Sequence, residues 1–236
     1  MQEPKHDMER LGFQLERFIF FTDGVFAISI TLLIIDLKIL PQEFPTDASL
    51  WHALSGMSVR FLGFLISFGI VGHYWSVHHR IFGYVIRSST SLIWLNLGYL
   101  LSVVLLPFSS GLLGEYSTHT ELKIPYGIYS FNMVLTGLMN CWLWAYVSHP
   151  KRKMLSREIS KARIRLGIYR SLVIPVIFTL SFLIFWWFPV VSRLVLLLIP
   201  VTLHWGMRGL ERKAERDESP SRKYQLEIPA AEGRGK

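Results

Sequence analysis

One carboxylate sits where it should be costly. From Arg17 to Asp36 the chain reads RFIFFTDGVFAISITLLIID. Asp23 therefore lies about one and a half helical turns inside an apolar run. A charge at the centre of a membrane helix costs about 2.5–3.5 kcal/mol, and less near the interface. Such a group must face protein or water. Three roles are open to it: a clasp to another helix, the handling of ions or protons, or a residue at the membrane interface. Suitable donors recur at matching depth. The string HYWSVHHR supplies Trp75, His78 and His79, and LIWLNLGY supplies Trp94 and Asn96. An indole N–H, an imidazole and an amide can each donate to a carboxylate.

Other chemistries are missing. There is no HExxH, GxSxG, Walker A or GxGxxG string, so no enzyme activity and no cofactor are expected. His78 and His79 are adjacent, so on a helix they point about 100° apart and cannot chelate one metal. A single cysteine, Cys141, rules out an intramolecular disulfide and a cysteine-cluster metal site. The TVGYG carbonyl filter of ordinary potassium channels is absent. Gly98-Tyr99 stands inside an apolar helix with no re-entrant loop around it.

The elements that must position these groups are membrane helices. The 236 residues are 51% hydrophobic and 18% charged, with mean hydropathy +0.35. A soluble chain carries about 25% charged residues. Six apolar segments stand out, at 18–38, 53–76, 90–113, 125–147, 166–188 and 190–207. About 20 residues span a bilayer, so the expected fold is an all-α membrane protein with six transmembrane helices per subunit and no re-entrant filter loop. The sixth segment is short and contains Arg193. The first is no cleaved signal peptide, because no small-residue cleavage pattern follows it.

Charge sets the orientation. Of 25 Lys and Arg, 21 fall in residues 1–17, 77–89, 148–170 and the stretch from Gly206 onward. The positive-inside rule then places both termini in the cytoplasm of a cell (inner) membrane protein. Trp51, Trp186 and Trp187 fall at outer ends, and Trp75, Trp94, Trp142, Trp144 and Trp205 near inner ends, as aromatic belts do. The net charge of +8 thus needs no nucleic acid: the basic stretch 151–170 reads as an anchor on anionic lipid. Residues 1–207 form the membrane domain. Residues 208–236 are expected to be a charged cytoplasmic tail, disordered at its end.

At 100° per residue, Leu32, Ile35, Phe21 and Arg17 lie within about 40° of Ile28, flanked by Gly24 and Thr31, while Asp23 lies roughly 140° from Ile28. The first helix therefore has an apolar ladder at 21, 28 and 35 and a separate polar face at Thr22 and Asp23. Periodicity leaves the ladder open to lipid, packing or a pore.

Together these residues resemble a known family. Arg17-x-x-x-Phe21-Thr22-Asp23 is similar to the RxxxFSD signature of the transmembrane protein 175 family of potassium channels, with Thr for Ser. The run from Gly24 to Leu37, the WxxHHR run (Trp75, His78, His79, Arg80) and WLNL…LLPF…LLGEY (Trp94–Tyr116) also resemble its single-repeat prokaryotic members. The resemblance implies a homotetrameric potassium-permeable channel, with potassium as permeant species and no bound metal. Its pore would be lined by four copies of the first helix. It implies a constriction at Ile28, a role in potassium preference for Thr31, and apolar rings at Leu32 and Ile35. It also implies that Arg17, Phe21, Thr22 and Asp23 knit helices together with Trp75, His78 or His79, Trp94 and Asn96. Two alternatives stand beside it. One is a proton-conducting channel using Asp23 and the histidines; the other is a membrane scaffold or transporter without a continuous pore.

Overall fold

In the computed structural model of this chain, the described residues are 3–37, 45–117, 119, 122–156, 159–203, 208, 209 and 212, with their side chains described from Gly12 onward apart from that of Asp36. They form an all-helical fold apart from one antiparallel bridge between Val85 and Leu155. The expected tail, apart from residues 208, 209 and 212, lies outside the described residues, as does Trp205.

Helix α1 (Glu3–Leu32) runs through the Asp23 segment and tightens into a 3-10 turn at Leu33–Asp36. Its hydroxyls return to its own backbone: Thr22 Oγ1 donates to the Phe18 carbonyl at 3.0 Å and Ser29 Oγ to that of Val25 at 2.9 Å. Polar side chains can thus sit in an apolar helix without an orphaned hydroxyl. The short α2 (Asp47–Gly56) begins with a capping box between Thr46 and Ser49. Helices α3 (Ser58–Phe82), α4 (Thr90–Glu115), α5 (Lys123–Val147) and α6 (Lys161–Phe185) follow. Serine caps start two of them: Ser89 accepts from the Leu92 N–H and Ser160 from the Arg163 N–H, each at 3.2 Å. Helices α7 (Pro189–Val195) and α8 (Leu198–Val201) close the described fold.

The expectation of six transmembrane helices is corrected here. Among the described residues, four helices are long and apolar enough to cross a membrane, at Gly12–Ile35, Ser58–Phe82, Thr90–Glu115 and Lys161–Phe185. The segment expected at 125–147 is the 25-residue α5, which has the length but not the apolarity. It carries Asn132, Thr136 and Asn140, all buried. These are internal groups: Asn132 Nδ2 donates to Ser109 Oγ at 3.0 Å and Asn140 Nδ2 to Ser171 Oγ at 2.9 Å. Of the segment expected at 190–207, residues 204–207 lie outside the described residues; before them stand two helices, α7 and α8, in an apolar stretch of Pro189–Val201. At 1.5 Å per residue it reaches only about 20 Å, short of a hydrocarbon core of about 30 Å.

Packing runs in sequence across the bundle. Helix α1 rests on α3 and α4, α5 lies between α4 and α6, and α6 also meets α7 and α8. Helix α1 is thereby an edge element. At one end of the bundle the two basic loops join: the Ile86 N–H donates to the Met154 carbonyl at 2.9 Å and the Ser156 N–H to that of Tyr84 at 2.8 Å. The loops after α3 and after α5 therefore lie on the same side. One tryptophan departs from the belt pattern: Trp144 is buried, donating from Nε1 to the Ile164 carbonyl at 2.9 Å.

Candidate functional site

The buried face of α1 follows a heptad-like stripe of Leu15, Thr22, Phe26, Ser29 and Leu33. This stripe meets α3 and α4 through a polar chain. Asn96 of α4, fully buried, donates from Nδ2 to Thr22 Oγ1 at 2.9 Å and accepts on Oδ1 from His78 Nε2 of α3 at 2.8 Å. Because the amide oxygen can only accept, the imidazole proton is on Nε2. Three helices are thus joined through one amide. Asn96 can do this because its donor and acceptor lie on one planar group.

Asp23 has its own partner. Trp75 Nε1 of α3 donates to Asp23 Oδ1 at 3.0 Å. The carboxylate is half-buried at the margin of the clasp, and the hydroxyl beside it, Thr22, holds the buried position. Trp75 in turn stands one turn before His79, their ring centroids 5.5 Å apart.

The structure thus brings together Thr22, Asp23, Trp75, His78 and Asn96. It leaves the rest of the signature apart from them within one chain. Arg17 is exposed, with its guanidinium 5.9 Å from the Phe13 ring centroid. Phe21 and His79 are exposed as well, and Trp94 is 70% exposed on the outside of α4. The apolar ladder is exposed along its length: Ile28 at 59%, with Leu32 and Ile35 beside it. Thr31 is exposed too, its hydroxyl donating to the Ile28 carbonyl at 2.9 Å.

Sequence reasoning missed the aromatic cage of the clasp. The His78 ring stacks on Tyr99, nearly parallel at 5.5 Å, and on Phe82 at 4.3 Å, with Phe26 at 5.8 Å. The signal was there in spacing: Phe26 is one turn beyond Thr22, Phe82 one turn beyond His78, and Tyr99 three residues after Asn96. These rings exclude water from the amide chain, which strengthens its hydrogen bonds and raises the cost of breaking them.

The geometry separates α1 into two working surfaces. One is fixed by polar bonds to the body of the subunit. The other is a broad apolar arc at the bundle edge, exposed among the described residues.

Comparison with known proteins bears on this arrangement. Residues 17–107 match the family model described as the endosomal/lysosomal potassium channel TMEM175. The chain is 33% identical over 169 residues to a potassium channel of Streptomyces collinus, an alignment covering 69% of this chain and 80% of that one. It is 36% identical over 110 residues to the human endosomal/lysosomal proton channel TMEM175, covering 40% of this chain and 21% of the human one. Among solved structures it resembles the lysosomal potassium-selective channel TMEM175 homologue from Chamaesiphon minutus, with a TM-score of 0.69 at 23% identity, covering 83% of this chain and 98% of that one.

Proposed function

Because the chain belongs to the TMEM175 family, we propose that it is a potassium-permeable channel whose pore is lined by α1. The observation that carries this reading is the division of α1. Its polar face is locked to α3 and α4, and its opposite arc, with Ile28 at the centre, is apolar and uncovered at the edge of the subunit. An edge helix with such an arc calls for other copies of itself. Four subunits arranged around an axis would bring four α1 helices together, with Ile28 as the narrowest ring, Leu32 and Ile35 as further apolar rings, and Thr31 beside them. Arg17 and Phe21 on the same arc, His79 on α3 and Trp94 on α4 would then meet neighbouring copies and complete the clasp between subunits.

An apolar ring passes ions by a different device from a carbonyl filter: it gates by dewetting. Potassium gives up its hydration shell at lower cost than sodium, so a tight dry ring penalises sodium more. Potassium is the permeant species, and no cofactor enters the reading. The paired basic loops and the 21 cations on one side support a cytoplasmic placement of both termini, in a cell membrane, with residues 151–170 against anionic lipid. Residues 1–207 would form the channel domain and residues 208–236 its cytoplasmic tail.

The name of the human relative makes proton permeation the second reading, since Asp23, Trp75 and His79 are grouped at one level of the subunit. Flux from proteoliposomes separates the two. The proposal expects potassium-driven flux that grows and loses selectivity over sodium in Ile28→Asn. Flux that follows only the proton gradient and vanishes in Asp23→Asn supports the second reading. No ion flux of either kind refutes both.

A further inference from the structure

Arg193 is the sole charged residue of the apolar stretch Pro189–Val201, and the channel reading makes no use of it. A cation at membrane depth is costly, and as a rule it faces protein or a cavity. Arg193 is half-buried and lines a cavity of about 600 Å³ between α3 and the α7–α8 stretch. A second half-buried cation, Arg60, lines the same space from the first turn of α3. Both stand at the end of the bundle away from the paired basic loops. Arg60 Nη2 donates to the Glu115 carbonyl at 3.4 Å, on the last residue of α4, and the charge of Arg193 acts on Tyr126 in the first turn of α5.

Beyond these two cations the cavity is apolar. Its walls are chiefly aliphatic, with Leu33 and Leu37 at the end of α1 forming one of them. Hydroxyls that reach it are already paired: Ser67 Oγ bonds with Ser110 Oγ at 2.8 Å and with Tyr129 Oη at 3.0 Å. A water held inside protein needs about two to four polar partners, so these walls suit hydrocarbon better. Along α3 the lining runs from Val59 to His73, a rise of about 21 Å. One leaflet supplies about 15 Å of the hydrocarbon core, so the cavity is deep enough for a lipid tail. Leu62, Leu65 and Leu197 line it and are also exposed, so it opens sideways from the bundle.

We propose that this cavity holds one acyl chain of a net-anionic glycerophospholipid from the surrounding bilayer, with Arg60 and Arg193 on its phosphate. Guanidinium forks match phosphate oxygens. The single bond from Arg60 to a carbonyl leaves other donors of its fork for a second acceptor. A zwitterionic headgroup would bring a third cation beside the two arginines. The chain would lie against Leu33, on the buried stripe of α1, and support that helix from the side away from Ile28.

The test is native mass spectrometry of the purified full chain in a neutral detergent, titrated with dioleoyl phosphatidylglycerol, dioleoyl phosphatidylcholine or oleate. The first molecule of phosphatidylglycerol bound per chain should show an apparent affinity about tenfold or more above that of phosphatidylcholine. Arg60→Gln and Arg193→Gln should each weaken phosphatidylglycerol about tenfold, since a charge-assisted contact is lost, and either variant suffices should the other misfold. Gly63→Leu fills the cavity from a position where a Cβ meets nothing within 4 Å, and it should weaken binding with both arginines intact. Arg87→Gln, an exposed cation at the opposite end of α3, should change nothing. Equal affinities for the two phospholipids, equal losses in Arg60→Gln and Arg87→Gln, or no loss in Gly63→Leu would overturn the proposal. Oleate binding as tightly as phosphatidylglycerol would also overturn it, in favour of a fatty acid. Because the readout is binding, failure here leaves the channel reading intact, and a non-conducting protein could still bind.

Discussion

Replacing Asn96 with alanine tests whether one amide joins three helices. The wild-type side chain makes two bonds between helices, to Thr22 at 2.9 Å and from His78 at 2.8 Å. Hydrogen bonds between membrane helices average about 0.6 kcal/mol, so the pair is worth about 1.2 kcal/mol. Thr22 keeps its bond to the Phe18 carbonyl. The imidazole of His78 has no such reserve on Nε2, and a stranded buried donor costs about 1–3 kcal/mol more. Asn96→Ala should therefore destabilise the fold by about 2–4 kcal/mol, before any cavity penalty. The diagnostic step is the double variant Asn96→Ala/His78→Phe. Phenylalanine keeps a ring between Tyr99 and Phe82 and removes the stranded N–H. The cavity is common to both variants and cancels. The double variant should therefore be more stable than Asn96→Ala alone by about 1–3 kcal/mol. Reversible unfolding in mixed micelles gives the three free energies. A double variant no more stable than the single one would falsify the assignment of His78 as a donor held by Asn96.

Two further outcomes follow from the same packing. Trp75→Phe removes the indole N–H from Asp23 and should cost about 1.5–3 kcal/mol, as hydrogen bonds to charged groups do, whereas Asp23→Asn keeps the acceptor and should cost less; the same unfolding assay ranks them. Gly137→Ala should be destabilising by about 1–3 kcal/mol, because a Cβ there meets Pro175 Cγ at 2.1 Å, while Gly63→Ala, with nothing within 4 Å, should be neutral or better; equal melting temperatures for the two would contradict the α5–α6 contact.

Much of the clasp was legible in sequence because hydrogen-bonding chemistry is restrictive. A carboxylate inside a span needs donors, and sequence offers five at its depth, Trp75, His78, His79, Trp94 and Asn96; Trp75 reaches Asp23, His78 and Asn96 join through Thr22 instead, and His79 and Trp94 are exposed. The division of labour was not legible. Thr22 takes the amide and Asp23 takes the indole, a choice set by helix rotation that spacing alone does not resolve. The number of spans was misjudged for two physical reasons. Residues 125–147 contain enough aromatic and aliphatic residues to look like a span, yet Asn132 and Asn140 bond to serines on α4 and α6. Residues 190–207 look continuous, but within their described part the chain turns between α7 and α8, and each of these helices is too short to span. Trp144 misled in the same way, since an indole near a helix end can serve an interior contact as readily as a lipid interface.

The central claim is that the exposed arc of α1 centred on Ile28 faces the ion path. The single native cysteine makes a direct test practical. In a Cys141→Ser background, Ile28→Cys and Ala27→Cys place a thiol at nearly the same depth about 100° apart on α1. Potassium flux from proteoliposomes is then measured before and after a cationic, thiol-reactive methanethiosulfonate reagent. The account predicts that the reagent blocks flux through Ile28→Cys and spares Ala27→Cys. Block confined to Ala27→Cys, or no block at either position while both thiols are labelled, would contradict it.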